Sequence, residues 1–226
     1  MKNVFFLLLA LLLISNACKK NHDNNTHVNG KEYVNSKIGS WIIYNVDSIV
    51  FSDFNITVQK IDTFKFQVKE VIAGVFFDGT NQENTRIERF QRLIDTLPWQ
   101  ITNVWSSKIT ASDFEKVEEN IRYVKLVFPA NEFKVWPGNK YNNLPSLDYT
   151  YLNVKGEVSL PGKDFFNTIT VLQRDSAEDN FVEKGFAMEI YAENIGMIYK
   201  RNDAVEVQNN IKKGVYYRQT AIDWSK

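Results

Sequence analysis

The chain has little of what most enzymes use for chemistry. It holds one cysteine, Cys18, and two histidines, His22 and His27, in 226 residues. A lone thiol forms no intrachain disulfide and no zinc cage. Both histidines lie in Lys19–Gly30, an asparagine-rich stretch without apolar periodicity. A catalytic histidine must be held within hydrogen-bond reach of its nucleophile, and a loose segment cannot hold one. The same two histidines could bind a metal only loosely, so no metal site and no cofactor are expected. No glycine-rich phosphate loop is present. Lys and Arg number 27, as do Asp and Glu, so the formal charge is zero. Without a basic stripe to neutralise phosphates, nucleic-acid binding is disfavoured.

What is present begins at the N-terminus. Lys2 gives a positive start, and Val4 to Ile14 is an unbroken apolar run. Such a run of about ten residues is half of the roughly twenty a membrane span requires. A basic start, a short apolar core and the small polar Ser15-Asn16-Ala17 read as a secretory signal.

Ala17-Cys18 after this leucine-rich run resembles the lipobox of bacterial lipoproteins, with Ser15 where an aliphatic residue is usual. The resemblance implies cleavage between Ala17 and Cys18, and lipidation of the Cys18 thiol and the new amine with diacylglycerol and a fatty acyl chain such as palmitate. Each buried methylene contributes about 0.8 kcal/mol, and two or three chains anchor firmly where one binds marginally. By the same resemblance, Lys19 rather than aspartate after the cysteine implies the outer membrane. The expected organisation is a signal peptide over 1–17, lipidated Cys18 with a flexible tether over 18–30, and one β-rich domain over 31–226. Removal of the signal leaves 226 − 17 = 209 residues and a formal charge of 26 − 27 = −1. That length suffices for one sizeable core. A tether of twelve residues averages about 20 Å and keeps the body near the lipid.

The domain reads as strands. Aromatic residues make up 14% of the chain and suit paired strands. Trp41 to Phe51 is apolar on both faces, which predicts a strand covered on two sides. Thr63 to Val71 alternates as a half-exposed strand, and Asp78-Gly79 is a turn. Arg86 to Ile94, Trp99 to Ser106 and Arg122 to Phe128 are further strands, the last stopped by Pro129. Glu115 to Asn120 is ambiguous between helix turn and strand, and Trp136-Pro137-Gly138-Asn139 reads as a turn. Tyr149 to Val158 and Phe165 to Leu172 join through the Pro161-Gly162 turn, and Val215 to Trp224 is the last strand. Over 180–192 two readings compete. Asn180 with Glu183 would cap a helix carrying Val182, Phe186 and Ile190. Phe186, Met188 and Ile190 also alternate, and Gly185 disfavours a helix interior. A strand over Phe186–Ala192, a turn and a strand over Met197–Lys200 are preferred. The fold class is mainly β, with α+β as the alternative. One antiparallel sheet is expected, curved or closed into a half-open barrel, with at most one or two short helices.

Three blocks carry a family resemblance. Leu160-Pro161-Gly162-Lys163-Asp164-Phe165 followed by Thr168-Ile169-Thr170-Val171, and Tyr191-Ala192-Glu193-Asn194-Ile195-Gly196-Met197-Ile198, are similar to a turn and a hairpin of a widespread envelope β domain. Glu119 to Pro129 with Trp136-Pro137-Gly138-Asn139 resembles uncharacterised Bacteroidota outer-membrane lipoproteins. The resemblance spans about Trp41 to Lys200. It implies a half-barrel like that of envelope lipid and lipoprotein carriers, and no catalytic residue.

The remaining candidates are few. Glu118-Glu119 are adjacent and would point to opposite faces of a strand, unlike a glycosidase pair. Trp99, Trp105 and Trp136 could stack on sugars but read first as packing. Arg86, Glu88, Arg89 and Arg92 could hold an anion but read first as cross-paired strand charges. Asp47-Ser48-Ile49, Asp95-Thr96-Leu97 and Asp175-Ser176-Ala177 resemble the O-glycosylation sequon of exported Bacteroidota proteins, which marks Ser176 and Thr96, with Ser48 inside a strand. The expected function is that of a membrane-anchored, non-catalytic envelope lipoprotein binding a lipid or apolar ligand. The alternatives are an accessory subunit docking a protein partner and, third, glycan binding or hydrolysis.

Overall fold

The computed structural model describes residues 28–52, 59–176, 183–208 and 211–225. Cys18, Ala17, both histidines and Asn180 lie outside them. The described residues form twelve strands: β1 (Trp41–Phe51), β2 (Ile61–Phe77), β3 (Glu83–Arg92), β4 (Gln100–Ile109), β5 (Asp113–Glu118), β6 (Ile121–Val127), β7 (Val135–Pro137), β8 (Asp148–Leu160), β9 (Lys163–Asp175), β10 (Glu183–Ala192), β11 (Gly196–Gln208) and β12 (Ile211–Trp224). All belong to one antiparallel sheet, ordered 6-5-4-3-2-1-12-11-10-9-8-7. Each strand therefore pairs with its neighbour in sequence, and β1 pairs with β12. This is an up-and-down barrel opened at one place, between β6 and β7. A 3-10 turn at Lys31–Tyr33 is the helical element among the described residues.

The opening is bridged. The Val124 amide donates to the Gly138 carbonyl at 2.9 Å. The Trp136 indole N–H donates to the Val124 carbonyl at 2.9 Å. Tyr151 accepts from the Val127 amide and donates to its carbonyl, at 3.0 and 2.8 Å. Trp136 and Tyr151 stack tilted with centroids 4.6 Å apart. These contacts explain a departure from the sequence reading. Val135–Pro137 is a short strand rather than part of a turn, because Trp136 is drawn into the core, and an edge strand tolerates Pro137.

Period-two patterning accounts for most strands. In β1, Ile42, Tyr44, Val46 and Ser48 are buried, while Asn45 and Asp47 are exposed. The second face of β1 is wet at its middle, at Asn45 and Asp47, and covered at its end, where Phe51 packs on Tyr216, a correction to the two-sided expectation. Ile43 and Ile49, half-buried on the other face, are flanked by Lys69 and Thr63 of β2. Segment 183–192 is a strand, paired on both sides by β9 and β11. The strand preferred over Met197–Lys200 runs on to Gln208, and Glu115–Glu118 belongs to β5.

The chain joins the body earlier than composition implied. Val28 is buried, and its carbonyl accepts from the Ala130 amide at 2.9 Å. Gly30 follows with φ +93, and a Cβ there would stand 2.8 Å from the Phe128 ring. The Asn194 amide donates to the Glu32 carbonyl at 2.8 Å, and Tyr33 is fully buried beneath.

Candidate functional site

The lumen of the barrel is charged. Alternation along β5 points Lys116 and Glu118 inward together. Glu189 of β10 sits opposite Lys200 of β11 in the sheet register, as Glu70 of β2 sits opposite Arg89 of β3. Lys125 projects from β6, the strand beside the opening.

These side chains meet. Lys125 Nζ lies 2.8 Å from Glu189 Oε1 and 3.2 Å from Glu118 Oε1. Lys200 Nζ lies 3.0 Å from Glu118 Oε2 and 3.4 Å from Glu189 Oε1. Each lysine thus touches both glutamates, in a four-membered ring. Lys116 extends it, 3.8 Å from Glu118 and 3.0 Å from Glu70 Oε2. Arg89 Nε closes on Glu70 Oε1 at 3.1 Å. Tyr191 Oη donates to Glu189 Oε2 at 2.6 Å. The network joins β2, β3, β5 and β6 to β10 and β11, on opposite sides of the opening.

Burial disfavours ionisation of all three glutamates, yet their cationic neighbours prevail. Lys125, Lys200 and Lys116 hold Glu118 well below the usual carboxylate range. Lys125 and Lys200 lower Glu189, and Lys116 and Arg89 lower Glu70. Burial acts against the charge of Lys125 and Lys200 as well, and the glutamates raise both above ordinary lysines. Burial, foremost, pushes Tyr44 and Tyr191 far up, with Glu70 adding at Tyr44 and Glu189 at Tyr191. At neutral pH these carboxylates have no proton to give, and these amines have no lone pair to attack with. The arrangement is an electrostatic clasp.

Beside it lies a cavity of about 50 Å³, lined by Tyr33, Trp41, Tyr44, Glu70, Lys116 and Tyr191 among others. Ligand pockets run to about 300–1,000 Å³. This one has room for a few waters. An outer groove of about 590 Å³ is open and polar, with Lys108, Glu115, Arg122 and Tyr141 in its lining. Burial raises Glu115 there, against Lys108 and Arg122 at 3.8 and 3.6 Å. Among the described residues no three His, Cys, Asp or Glu side chains group as metal ligands.

The sequence candidates scatter. Glu118 is in the clasp, whereas Glu119 sits in the following turn at φ 48 and accepts from Asn103 and Trp105. Trp136 is buried. Trp105 and Trp99 are half-buried, with Arg89 and Arg92 over their rings at 3.8 and 4.2 Å. Arg86 pairs with Glu88 at 2.9 Å, and Arg92 donates to Gln67 at 2.7 Å. Arg89, in the clasp, is half-buried rather than superficial. Ser48 is buried in β1, Thr96 is exposed in a turn, and Ser176 exchanges hydrogen bonds with the Gly185 backbone at 3.0 and 3.1 Å. Sequence reasoning missed the clasp. Its one trace is charge at inward positions of otherwise apolar strands, which a solvent-facing strand shares.

No protein-family model and no curated protein matches the chain. Solved structures with a similar outline include two of note. One is provisionally described as an exported protein with a YmcC-like fold from Bacteroides fragilis. It is 12% identical with a TM-score of 0.44, over 84% of this chain and 97% of that one. The other is provisionally described as a lipoprotein from Parabacteroides distasonis. It is 9% identical with a TM-score of 0.42, over 85% and 98%. Likeness at that level is one of outline.

Proposed function

We propose that this chain is a lipid-anchored, non-catalytic protein of the cell envelope, tied to the outer membrane through Cys18, whose barrel serves as an accessory subunit and docks a protein partner on its outer surface. The observation that carries this reading is the filled lumen. Among the described residues, charged side chains and a cavity of about 50 Å³ occupy the lumen, which speaks against an acyl chain held there. Apolar groups face outward instead. Leu93, Ile94, Leu97 and Ile101 are each more than two-fifths exposed at and beside the β3–β4 turn. Clustered exposed apolar side chains mark interaction surfaces.

Two measurements test it. The mature protein should begin at an acylated Cys18 by intact mass, and Cys18→Ala should move it to the soluble fraction. A photo-crosslinker at Leu97 should give one dominant envelope-protein adduct in intact membranes, lost on Ile94→Asp. A free thiol, or a tightly retained lipid in native mass spectra of the purified protein, would end this reading. Glycan binding has one observation in its favour, the polar groove beside Tyr141. Glycan-array binding abolished by Glu115→Gln would favour it.

A further inference from the structure

We infer that Phe133, Val135 and Leu152 form a lipid-contact patch that seats one side of the barrel on the bilayer; this rests on the acylation of Cys18 proposed above.

Three observations converge. First, Phe133 is 74% exposed, the highest among the large apolar side chains of the described residues, and has φ 62. A bulky aromatic residue in the left-handed region is strained and rare. The backbone around it is fixed. Its amide donates to the Tyr151 carbonyl at 2.8 Å, and the Tyr151 amide donates to the Lys134 carbonyl at 3.2 Å. Lys134 Nζ ties down the Phe128 and Pro129 carbonyls at 3.2 and 2.9 Å. The ring is therefore presented by a braced turn.

Second, Phe133 has apolar neighbours. Val135 is 57% exposed and sits opposite Thr150 in the β7–β8 register. Leu152, set out at the β8 bulge between Tyr151 and Asn153, is 41% exposed and follows directly on the residue whose carbonyl takes the Phe133 amide. Lys134 and Glu132 flank the patch with opposite charges, so apolar contact rather than attraction to anionic lipid is the driving force.

Third, the chain that leads to the lipid joins the body here. Val28 bridges to Ala130, three positions before Phe133. Val28 is ten positions after Cys18, and ten residues reach at most about 35 Å. A body held so close makes contact an intramolecular event, for which a weak patch suffices. The same tether selects the occupant: the bilayer is the one surface always within its reach.

The test uses the full, natively acylated chain in phosphatidylethanolamine–phosphatidylglycerol vesicles with bromines at shallow acyl positions. Phe133→Trp and, independently, Leu152→Trp report on the patch. Phe64→Trp, exposed on β2 opposite Ser48 of β1, is the control. Interfacial side chains lie about 5–10 Å deep, so the emission added at 133 or 152 should fall by about half in brominated vesicles. The emission added at 64 should not change. Acylated Cys18 by mass with no quenching at 133 or 152 overturns the patch and leaves the anchor standing. A free Cys18 thiol overturns both. Shielding at 133 in native membranes but not in protein-free vesicles overturns the lipid contact in favour of a protein occupant.

Discussion

Lys125 of β6 meets Glu189 of β10 at 2.8 Å across the lumen, although 64 positions separate them in the chain. The two strands lie on opposite sides of the opening in the sheet, so this pair, with Glu118 and Lys200, does what a β6–β7 ladder would do in a closed barrel. Desolvating four charges is costly, and such clusters are often no more stabilising than apolar packing. Breaking one, however, strands a charge.

Lys125→Met should therefore destabilise the protein by about 3–5 kcal/mol, because Glu189 and Glu118 lose one of their two shared cations and are left with Lys200 alone between them. Lys125→Met with Glu189→Met should recover part of that loss. Urea denaturation of the four proteins of the cycle gives the coupling. A single-mutant loss under about 1 kcal/mol would show that the clasp adds little.

Stability should depend on pH at both extremes. Glu70, Glu118 and Glu189 have lowered folded pKa values, so their contribution is complete above the ordinary value of 4.5 and lost as pH falls through the folded values. Lys125 and Lys200 are raised above 10.5, and Tyr44 and Tyr191 above 10.0. Their contribution is complete below those ordinary values and lost as pH rises through the folded ones. Urea midpoints should be flat near neutrality, falling below pH 4.5 and above pH 10. A midpoint that climbs on acidification to pH 3 contradicts the charged lumen.

Trp136→Phe removes the donor to the Val124 carbonyl and keeps most of the ring. A loss of about 1–2 kcal/mol is expected, the cost of an unsatisfied buried acceptor. Faster hydrogen exchange should appear at the Val124 amide, which bonds across the opening to Gly138. Unchanged exchange there would mean that the indole does not hold the seam.

Gly138→Ala probes the same place sterically. A Cβ at Gly138 would stand 2.3 Å from the Tyr149 ring, whereas one at Gly39 meets nothing within 4 Å. Gly39→Ala should cost about 1–2 kcal/mol for its left-handed backbone alone, at φ +84. Gly138→Ala should cost more, since Tyr149 is buried and cannot swing aside. Thermal melts that rank the two in reverse would refute the packing at the seam.

Much of the fold was legible because period two is a strong signal where one face is wet. Trp41–Phe51 matches β1 end to end, and Pro161-Gly162 joins β8 to β9. At 180–192 the alternation of Phe186, Met188 and Ile190 outweighed a helical spacing, because both flanks of β10 are paired. The clasp was illegible for a physical reason. Lys116, Lys125, Glu189 and Lys200 occupy positions that a wet strand face would fill with the same residue types, and only the curling of the sheet turns that face inward. Trp136 packs in the core, as its residue type suggests, but its segment reads as a turn because its partners, Val124 and Tyr151, come from segments on either side of it. Cys18, on which the functional reading depends, lies outside the described residues.

The strand order also bears on how the chain assembles. Ten of the eleven ladders join strands consecutive in sequence, so two six-stranded halves can zip from local hairpins. The eleventh, β1 with β12, pairs Ile42 with Trp224 and must close a loop spanning 224 − 42 = 182 positions. Loop closure of that length carries the largest single entropic cost in the topology. The meeting of its first and last strands is therefore expected to set the pace at which this protein reaches its native state.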